Sequence, residues 1–203
     1  MVDTTQKKLI LGSTSVYRRE LLERLRTPFS VESPHVDETS LPGERPAELA
    51  RRLALAKAQA VAERFPGYVV IGSDQVADLN GQAMGKPGTH ERAVAQLRQM
   101  SGMTVIFQTA VAVICRETGF CQESLVPVKV RFQSLTDREI ENYLQAEKPY
   151  DCAGSAKSEG LGIALLESIE NDDPTALVGL PLIRTSQMLR AAGIDLLHAK
   201  GLS

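Results

Sequence analysis

The sequence predicts an α/β fold built on a mixed sheet, and three observations carry that expectation. Strand-like apolar runs and amphipathic helical stretches interleave along all 203 residues, with no repeat, low-complexity tract or linker between them, the pattern of one interleaved α/β unit. Two long β-branched runs, Val105 to Cys115 and Leu125 to Phe132, flank the turn Glu117-Thr118-Gly119. They read as an antiparallel hairpin, which argues against a purely parallel, doubly wound sheet. A hydrophobic content of 43% over 203 residues is enough for one substantial core or two small lobes sharing a cleft. One domain over residues 1–203 is therefore expected.

Taken in order, Lys8-Leu9-Ile10-Leu11 is an apolar strand that passes through Gly12-Ser13-Thr14-Ser15 into an arginine-bearing amphipathic helix. Phe29 to Ser33 reads as a short strand, and Val36 to Gly43 as a polar loop with turn residues. A helix starts near Pro46, a residue suited to a first turn, and runs to about Phe65, where Pro66-Gly67 stops it. Tyr68 to Gly72 is a strand leading to Ser73-Asp74-Gln75, and Asn80-Gly81 signals a hairpin. Thr89 to Met100 is helical and ends at Ser101-Gly102; after the long hairpin come a helix over Asp137 to Ala146, a strand over Gly162 to Ile169 and a closing helix over Pro181 to Ala192, stopped by Gly193.

A net charge of −2, from 23 basic and 25 acidic residues, provides no whole-surface basic field, so nucleic acid is not expected as a partner. Any polyanion should be small and met by a local cluster. The chain has neither an apolar run of about 18 residues nor a basic-then-apolar leader, Met1 to Lys8 being polar, so no membrane span is expected and the cytoplasm is the default location. Cys115, Cys121 and Cys152 are odd in number and follow no Cys-x-x-Cys spacing, which points to reduced thiols. His35, His90 and His198 are scattered and read as incidental.

The first strand-turn-helix is how a chain builds an anion site. The leading N–H groups of a helix have no intrahelical partner and sit at the positive end of its dipole. Ser13 and Ser15 add hydroxyls, and at 100° per residue Leu21, Leu22 and Leu25 fall within about 60° of Arg18, which places Arg18 over the buried stripe and Arg19 towards solvent. The plainer reading is an N-cap serine and a solvated arginine face. Neither Gly-x-x-x-x-Gly-Lys-Ser/Thr nor Gly-x-Gly-x-x-Gly is present.

Four more charged positions are oddly placed for a merely solvated surface. Lys57 falls between Leu53 and Val61 on the flank of an apolar stripe, either snorkelling or reaching inward to an anion. Asp74 follows Val69-Val70-Ile71-Gly72, at the strand end where α/β sheets commonly place ligand-binding residues, or serves as a turn aspartate. Lys86 sits in Gly85-Lys86-Pro87-Gly88, where glycine permits close backbone approach, or is an ordinary loop lysine. Glu38 lies in a polar loop. Breaking a phosphoanhydride needs cations on the phosphate oxygens, carboxylates to hold a hard divalent ion, and a positioned water. Arg18, Lys57 and Lys86 suit the first role, Glu38 and Asp74 the second.

The series Ser13-x-Ser15-x-x-Arg18-Arg19, Val36-Asp37-Glu38-Thr39, Lys57-Ala58, Gly72-Ser73-Asp74-Gln75, Gly85-Lys86-Pro87 and Gly154-Ser155-Ala156-Lys157-Ser158-Glu159-Gly160 resembles the Maf family of nucleoside triphosphate pyrophosphatases over roughly residues 7 to 197. The resemblance implies an elongated mixed sheet with flanking helices, two lobes around a central cleft, similar to the inosine triphosphate pyrophosphatases. It implies cleavage of a nucleoside triphosphate to the monophosphate and pyrophosphate with a divalent cation, magnesium or manganese, and a homodimer. By matching motif, Asp74 is the general base and a metal ligand with Glu38, Lys57 and Lys86 share the catalytic site, and Ser13, Ser15, Tyr17, Arg18, Gln75 and Glu159 bind substrate. The Ser-Asp-Gln form, Tyr17 and the Lys157-Ser158-Glu159 loop resemble the branch that acts on 7-methyl-GTP, whose cationic purine an aromatic face and a carboxylate bind well. The alternatives are the commoner dTTP and UTP branch, and a nucleotide-binding regulator of cell division that does not turn over.

Overall fold

The computed structural model describes residues 7–197, so His198 and most of the polar N-terminal stretch lie outside the described residues. Strands β1 (Leu9–Leu11), β2 (Ser30–Val31), β3 (Val69–Leu79), β4 (Gln82–Met84), β5 (Thr104–Cys115), β6 (Phe120–Phe132) and β7 (Leu166–Glu170) interleave with helices α1 (Val16–Glu23), α2 (Pro46–Arg64), α3 (His90–Met100), α4 (Asp137–Glu147) and α5 (Leu182–Ala191). The strands form one seven-stranded sheet in the order β2-β1-β3-β5-β6-β7, with β4 on β3. β1 pairs in parallel with β2 and β3, and the other pairs are antiparallel, so the sheet is mixed as expected.

Besides β2, which is only Ser30–Val31 of the strand expected over Phe29 to Ser33, three boundaries differ from the sequence reading. β3 does not stop at Gly72 but runs through Ser73, Asp74 and Gln75 to Leu79, in register with β5 from Val70↔Ile114 to Asp78↔Ile106. Asp74 therefore lies inside a strand and not at its end. Polar side chains are tolerated in such a strand when they are hydrogen-bonded: the Ser73 hydroxyl donates to the carbonyls of Ala110 (2.7 Å) and Gly179 (2.9 Å). β6 begins at Phe120, because the ladder from Cys115↔Phe120 carries Gln122, Glu123 and Ser124 into the strand despite their weak β preference. Gly162 belongs to a 3₁₀ turn, Leu161–Leu165, with the strand starting only at Leu166. The turn is tight enough that a Cβ on Gly162 would lie 2.4 Å from the Lys157 carbonyl.

Hydrophobic burial forms two principal cores along the same long strands. One packs Leu11, Leu21, Leu22, Ile71, Val113, Leu180 and Leu189 around β1, α1 and α5. The other packs Ala77, Leu97, Phe107, Val128, Phe132, Ile140 and Leu144 around α3 and α4. Asp74, Gln75 and Val76, between Ile71 of one core and Ala77 of the other, line the cleft.

α2 covers the sheet with Leu49, Leu53, Ala54, Ala58 and Val61, and Lys57 is buried in this stripe, where the sequence reading had it on the flank. The approach of α2 to β3 depends on Gly72: a Cβ there would lie 2.3 Å from the Ala54 carbonyl oxygen and 2.5 Å from the Ala58 nitrogen. Both contacts are backbone, so no side chain can turn aside. Gly72→Ala is expected to cost about 3 kcal/mol by overpacking, read as a lower denaturation midpoint; a midpoint equal to that of the parent protein would show that α2 is not seated as described.

Candidate active site

A cleft of about 750 Å³ opens between the two cores, and every site residue singled out in the sequence lines it: Ser13, Ser15, Tyr17, Arg18, Glu38, Lys57, Asp74, Gln75, Lys86 and Glu159. At its centre the Lys57 ammonium lies 2.7 Å from Oδ1 of Asp74 and 2.8 Å from Oε1 of Glu38. Lys57 and Asp74 are both buried, 4% and 7% exposed. A buried lysine held by two carboxylates is a charge centre and not a snorkelling side chain. Burial raises the Glu38 carboxyl, but the hydrogen bond from Lys57 and the positive charges of Lys57, Lys86 and Arg18 outweigh it and hold Glu38 below its ordinary range.

Ser15 caps α1, its hydroxyl oxygen accepting from the Arg18 N–H at 3.4 Å, as the plainer reading had it. The Ser13 hydroxyl accepts from the Ser15 N–H (3.2 Å) and from Nη1 of Arg18 (3.4 Å), while Nε of Arg18 donates to the Gly179 carbonyl at 2.8 Å. Burial lowers the Arg18 guanidinium and the negative charges of Asp74 and Glu38 act against it; an arginine stays charged regardless. Lys86 reaches the cleft from the loop after β4 and is exposed. Gln75 is committed to the fold, its amide nitrogen donating to the Thr109 hydroxyl and the carbonyls of Ala176 and Leu177 at 2.9–3.0 Å. Cys152, also on the cleft wall, donates its thiol to the Tyr17 hydroxyl at 3.8 Å. Burial, together with the charge and hydrogen bond of Cys152, pushes the Tyr17 phenol up, and burial pushes the Cys152 thiol up to about 11.

Two supports lie outside the residues singled out in the sequence. Arg52, on the same helix as Lys57, forks onto Glu44 at 2.6 and 2.9 Å and donates to the Thr39 carbonyl at 3.0 Å, which pins the loop that carries Glu38. The hydrogen bond from Arg52 first, and that from the Leu41 N–H second, hold Glu44 at about 2 against an ordinary 4.5. A carboxyl lowered on folding contributes above its unfolded value, so this clamp is complete above about 4.5 and is lost only as pH falls towards about 2. The segment 171–183 is the second support. Buried Asp173 accepts from the N–H groups of Thr175, Ile183 and Arg184, which ties the turn carrying Gly179 to the start of α5. Asp173-Pro174-Thr175 was a readable turn, but only the folded chain brings Gly179 to Arg18 and Ser73.

Three cations, Arg18, Lys57 and Lys86, thus face one cleft with four carboxylates, Glu38, Asp74, Asp151 and Glu159. Asp74 and Glu38 could hold a divalent cation together with oxygens from a phosphate and water, the set magnesium prefers to an all-protein cage. Among the described residues no group of three or more His, Cys, Asp or Glu side chains could hold a metal ion, and no helix is long and apolar enough to cross a membrane.

Residues 8–192 match the family model described as "Maf-like protein". The chain is 73% identical to a protein of Polaromonas sp. strain JS666 over 97% of its own length and 90% of that protein's. It is 69% identical to one from Albidiferax ferrireducens over 98% and 100% of the two lengths, and 60% identical to one from Burkholderia thailandensis over 95% and 91%. All three relatives carry the name 7-methyl-GTP pyrophosphatase. Among solved structures, that of the Staphylococcus aureus Ham1 protein aligns with a TM-score of 0.46 at 16% identity, covering 63% of this chain and 73% of its own.

Removing the central cation leaves Asp74 buried without its partner, which is costlier than losing a surface pair. Lys57→Met is therefore expected to lower stability by about 3 kcal/mol or more as well as to reduce turnover. A chemical denaturation curve unchanged from the parent would show that the Lys57–Asp74 pair is not part of the folded core.

Proposed function

This chain belongs to the Maf-like family, and we propose that it is a nucleoside triphosphate pyrophosphatase cleaving 7-methyl-GTP to 7-methyl-GMP and pyrophosphate. The observation that carries the chemistry is the buried Lys57 ammonium between Asp74 and Glu38, beside Arg18 and Lys86 in one cleft. Arg18, Lys57 and Lys86 neutralise the triphosphate, and the hydroxyls of Ser13 and Ser15 and the first turn of α1 add hydrogen-bond donors. Asp74 orients a water and takes its proton as that water's oxygen bonds to the α-phosphorus, the bond to the bridging oxygen breaks, and pyrophosphate leaves. Glu38 and Asp74 would hold magnesium or manganese, which supplies charge stabilisation to the phosphate oxygens. Tyr17 and Glu159 both line the cleft and would give a cationic purine an aromatic face and a carboxylate. A homodimer in the cytoplasm, without nucleic acid or membrane as partner, completes the proposal.

Asp74→Asn, which keeps the shape of the side chain, is expected to lower turnover by about 100-fold or more; near-normal turnover by a folded variant would remove Asp74 from the chemistry. Phosphorus NMR of the products is expected to show pyrophosphate and no orthophosphate, with hydrolysis abolished by a chelator and restored by magnesium or manganese. Orthophosphate as the first product would place the cleavage at a different bond.

The base preference is measured separately. A cation–π contact and a charge-assisted contact together supply about 1–3 kcal/mol, so kcat/KM for 7-methyl-GTP is expected to exceed that for GTP by roughly 5- to 150-fold. Glu159→Gln should erode the ratio while leaving GTP nearly unaffected. A ratio near one, or a preference for dTTP or UTP, would move the chain to another substrate while leaving the pyrophosphatase chemistry standing.

A further inference from the structure

Beside the Tyr17 ring sits an ion pair that the chemistry above does not use. The Lys157 ammonium lies 5.9 Å from the centre of the Tyr17 ring and 3.7 Å from Oε2 of Glu147, the last residue of α4. Tyr17 and Glu159 line the cleft and Lys157 does not, so the ammonium lies against the ring without forming part of the cleft wall. Its starting point is fixed, since the Lys157 N–H donates to the Tyr143 hydroxyl at 3.0 Å and that hydroxyl donates to the Ser155 carbonyl at 3.1 Å. Oε2 of Glu147 is buried and has no hydrogen-bond partner among the described residues. The fold makes room for this carboxylate, because a Cβ on Gly160 would lie 2.2 Å from Oε2 and 2.9 Å from Cδ. A carboxylate whose buried oxygen sits on a bare glycine without a hydrogen bond, facing one ammonium, acts through its charge.

A cation on one face of a tyrosine ring draws on the same electron density that would attract a second cation to the other face, and it repels that cation directly. Left alone, Lys157 would oppose a positively charged purine on Tyr17 and leave a neutral purine almost untouched. We infer that Glu147 is a specificity-determining residue that neutralises Lys157 and so lets the base pocket accept a cationic ring. The inference rests on the substrate proposed above, and it concerns discrimination between bases only, with no part in the phosphoanhydride step. Glu147 touches neither base nor phosphate and acts as a positioning residue for charge.

The test is the ratio of kcat/KM for 7-methyl-GTP over GTP in the parent protein, Glu147→Gln, Lys157→Met and the double variant, each checked by thermal melting. Glu147→Gln keeps the shape and removes the charge, so the ratio is expected to fall by about 10-fold, the scale of one uncompensated charge across a tyrosine ring, with GTP efficiency changed by less than about 2-fold. Adding Lys157→Met should restore the parent ratio, because the charge that needed neutralising is gone. An equal loss for both nucleotides in Glu147→Gln, or a double variant that stays low, would overturn the inference and leave the substrate proposal intact. Should Glu147→Gln fail to fold, Lys157→Met alone decides: the unopposed Glu147 is expected to raise the ratio, and a lowered ratio overturns the assignment. A parent ratio near one overturns the substrate proposal, and this inference with it.

Discussion

The site depends on how closely α2 lies against β3. With no side chain at Gly72, the helix backbone at Ala54 and Ala58 comes within van der Waals reach of the strand. Lys57 precedes Ala58 and Asp74 lies two positions beyond Gly72 on the same strand, so that contact sets the separation of the two charges. A larger residue at the contact would lift the helix and open the 2.7 Å ion pair. The third member of the cluster, Glu38, is on a loop and 58% exposed, and its place depends on the same helix: Arg52 forks onto Glu44 and holds the loop from α2. One helix thus carries the central cation and the arginine that positions a carboxylate against it.

The opposite wall is organised by one backbone carbonyl. Gly179 O accepts from both Nε of Arg18 and the Ser73 hydroxyl, which joins α1, the middle of β3 and the segment held by Asp173. Burying a guanidinium beside a strand is costly unless its donors are satisfied, and this carbonyl does so while turning Arg18 towards the cleft. Gly179 has a φ of +120°, a backbone conformation that favours glycine, and this lets the carbonyl point at both donors. Charges of both signs are therefore concentrated where the two cores separate, and the apolar packing on either side keeps that concentration from being lost to solvent.

Much of this was legible in the sequence because each signal is local. The mixed sheet followed from interleaved periodicities and the long hairpin, and α2, α3 and α4 followed from apolar spacing and their stop signals. The residues that line the cleft followed from residue type and from the family motifs. The errors are equally instructive. By propensity Ser73-Asp74-Gln75 reads as the end of β3, whereas pairing with β5 makes it strand and five acceptors satisfy the Ser73 and Gln75 side chains there. Lys57 was placed on a flank because a charged residue inside an apolar stripe is improbable until its two carboxylate partners are known.

What the sequence by itself determined is therefore the class of fold and the chemical inventory of the cleft: the cations, the carboxylates, and the tyrosine and acid set apart from them. Only the tertiary structure decided which of these groups touch, that Lys57 is shared by Asp74 and Glu38, that Gln75 is tied to the backbone of residues 176–177, and that Arg52 and Gly179 hold groups of the cleft from outside the motifs. The physical reason is range. Helix and strand patterns are written within a few residues, where periodicity and capping act, whereas the pairings that make the site join positions 17, 106 and 161 residues apart. Those pairings exist only once a sheet, a bare glycine and a clamped loop have brought the partners within hydrogen-bond distance.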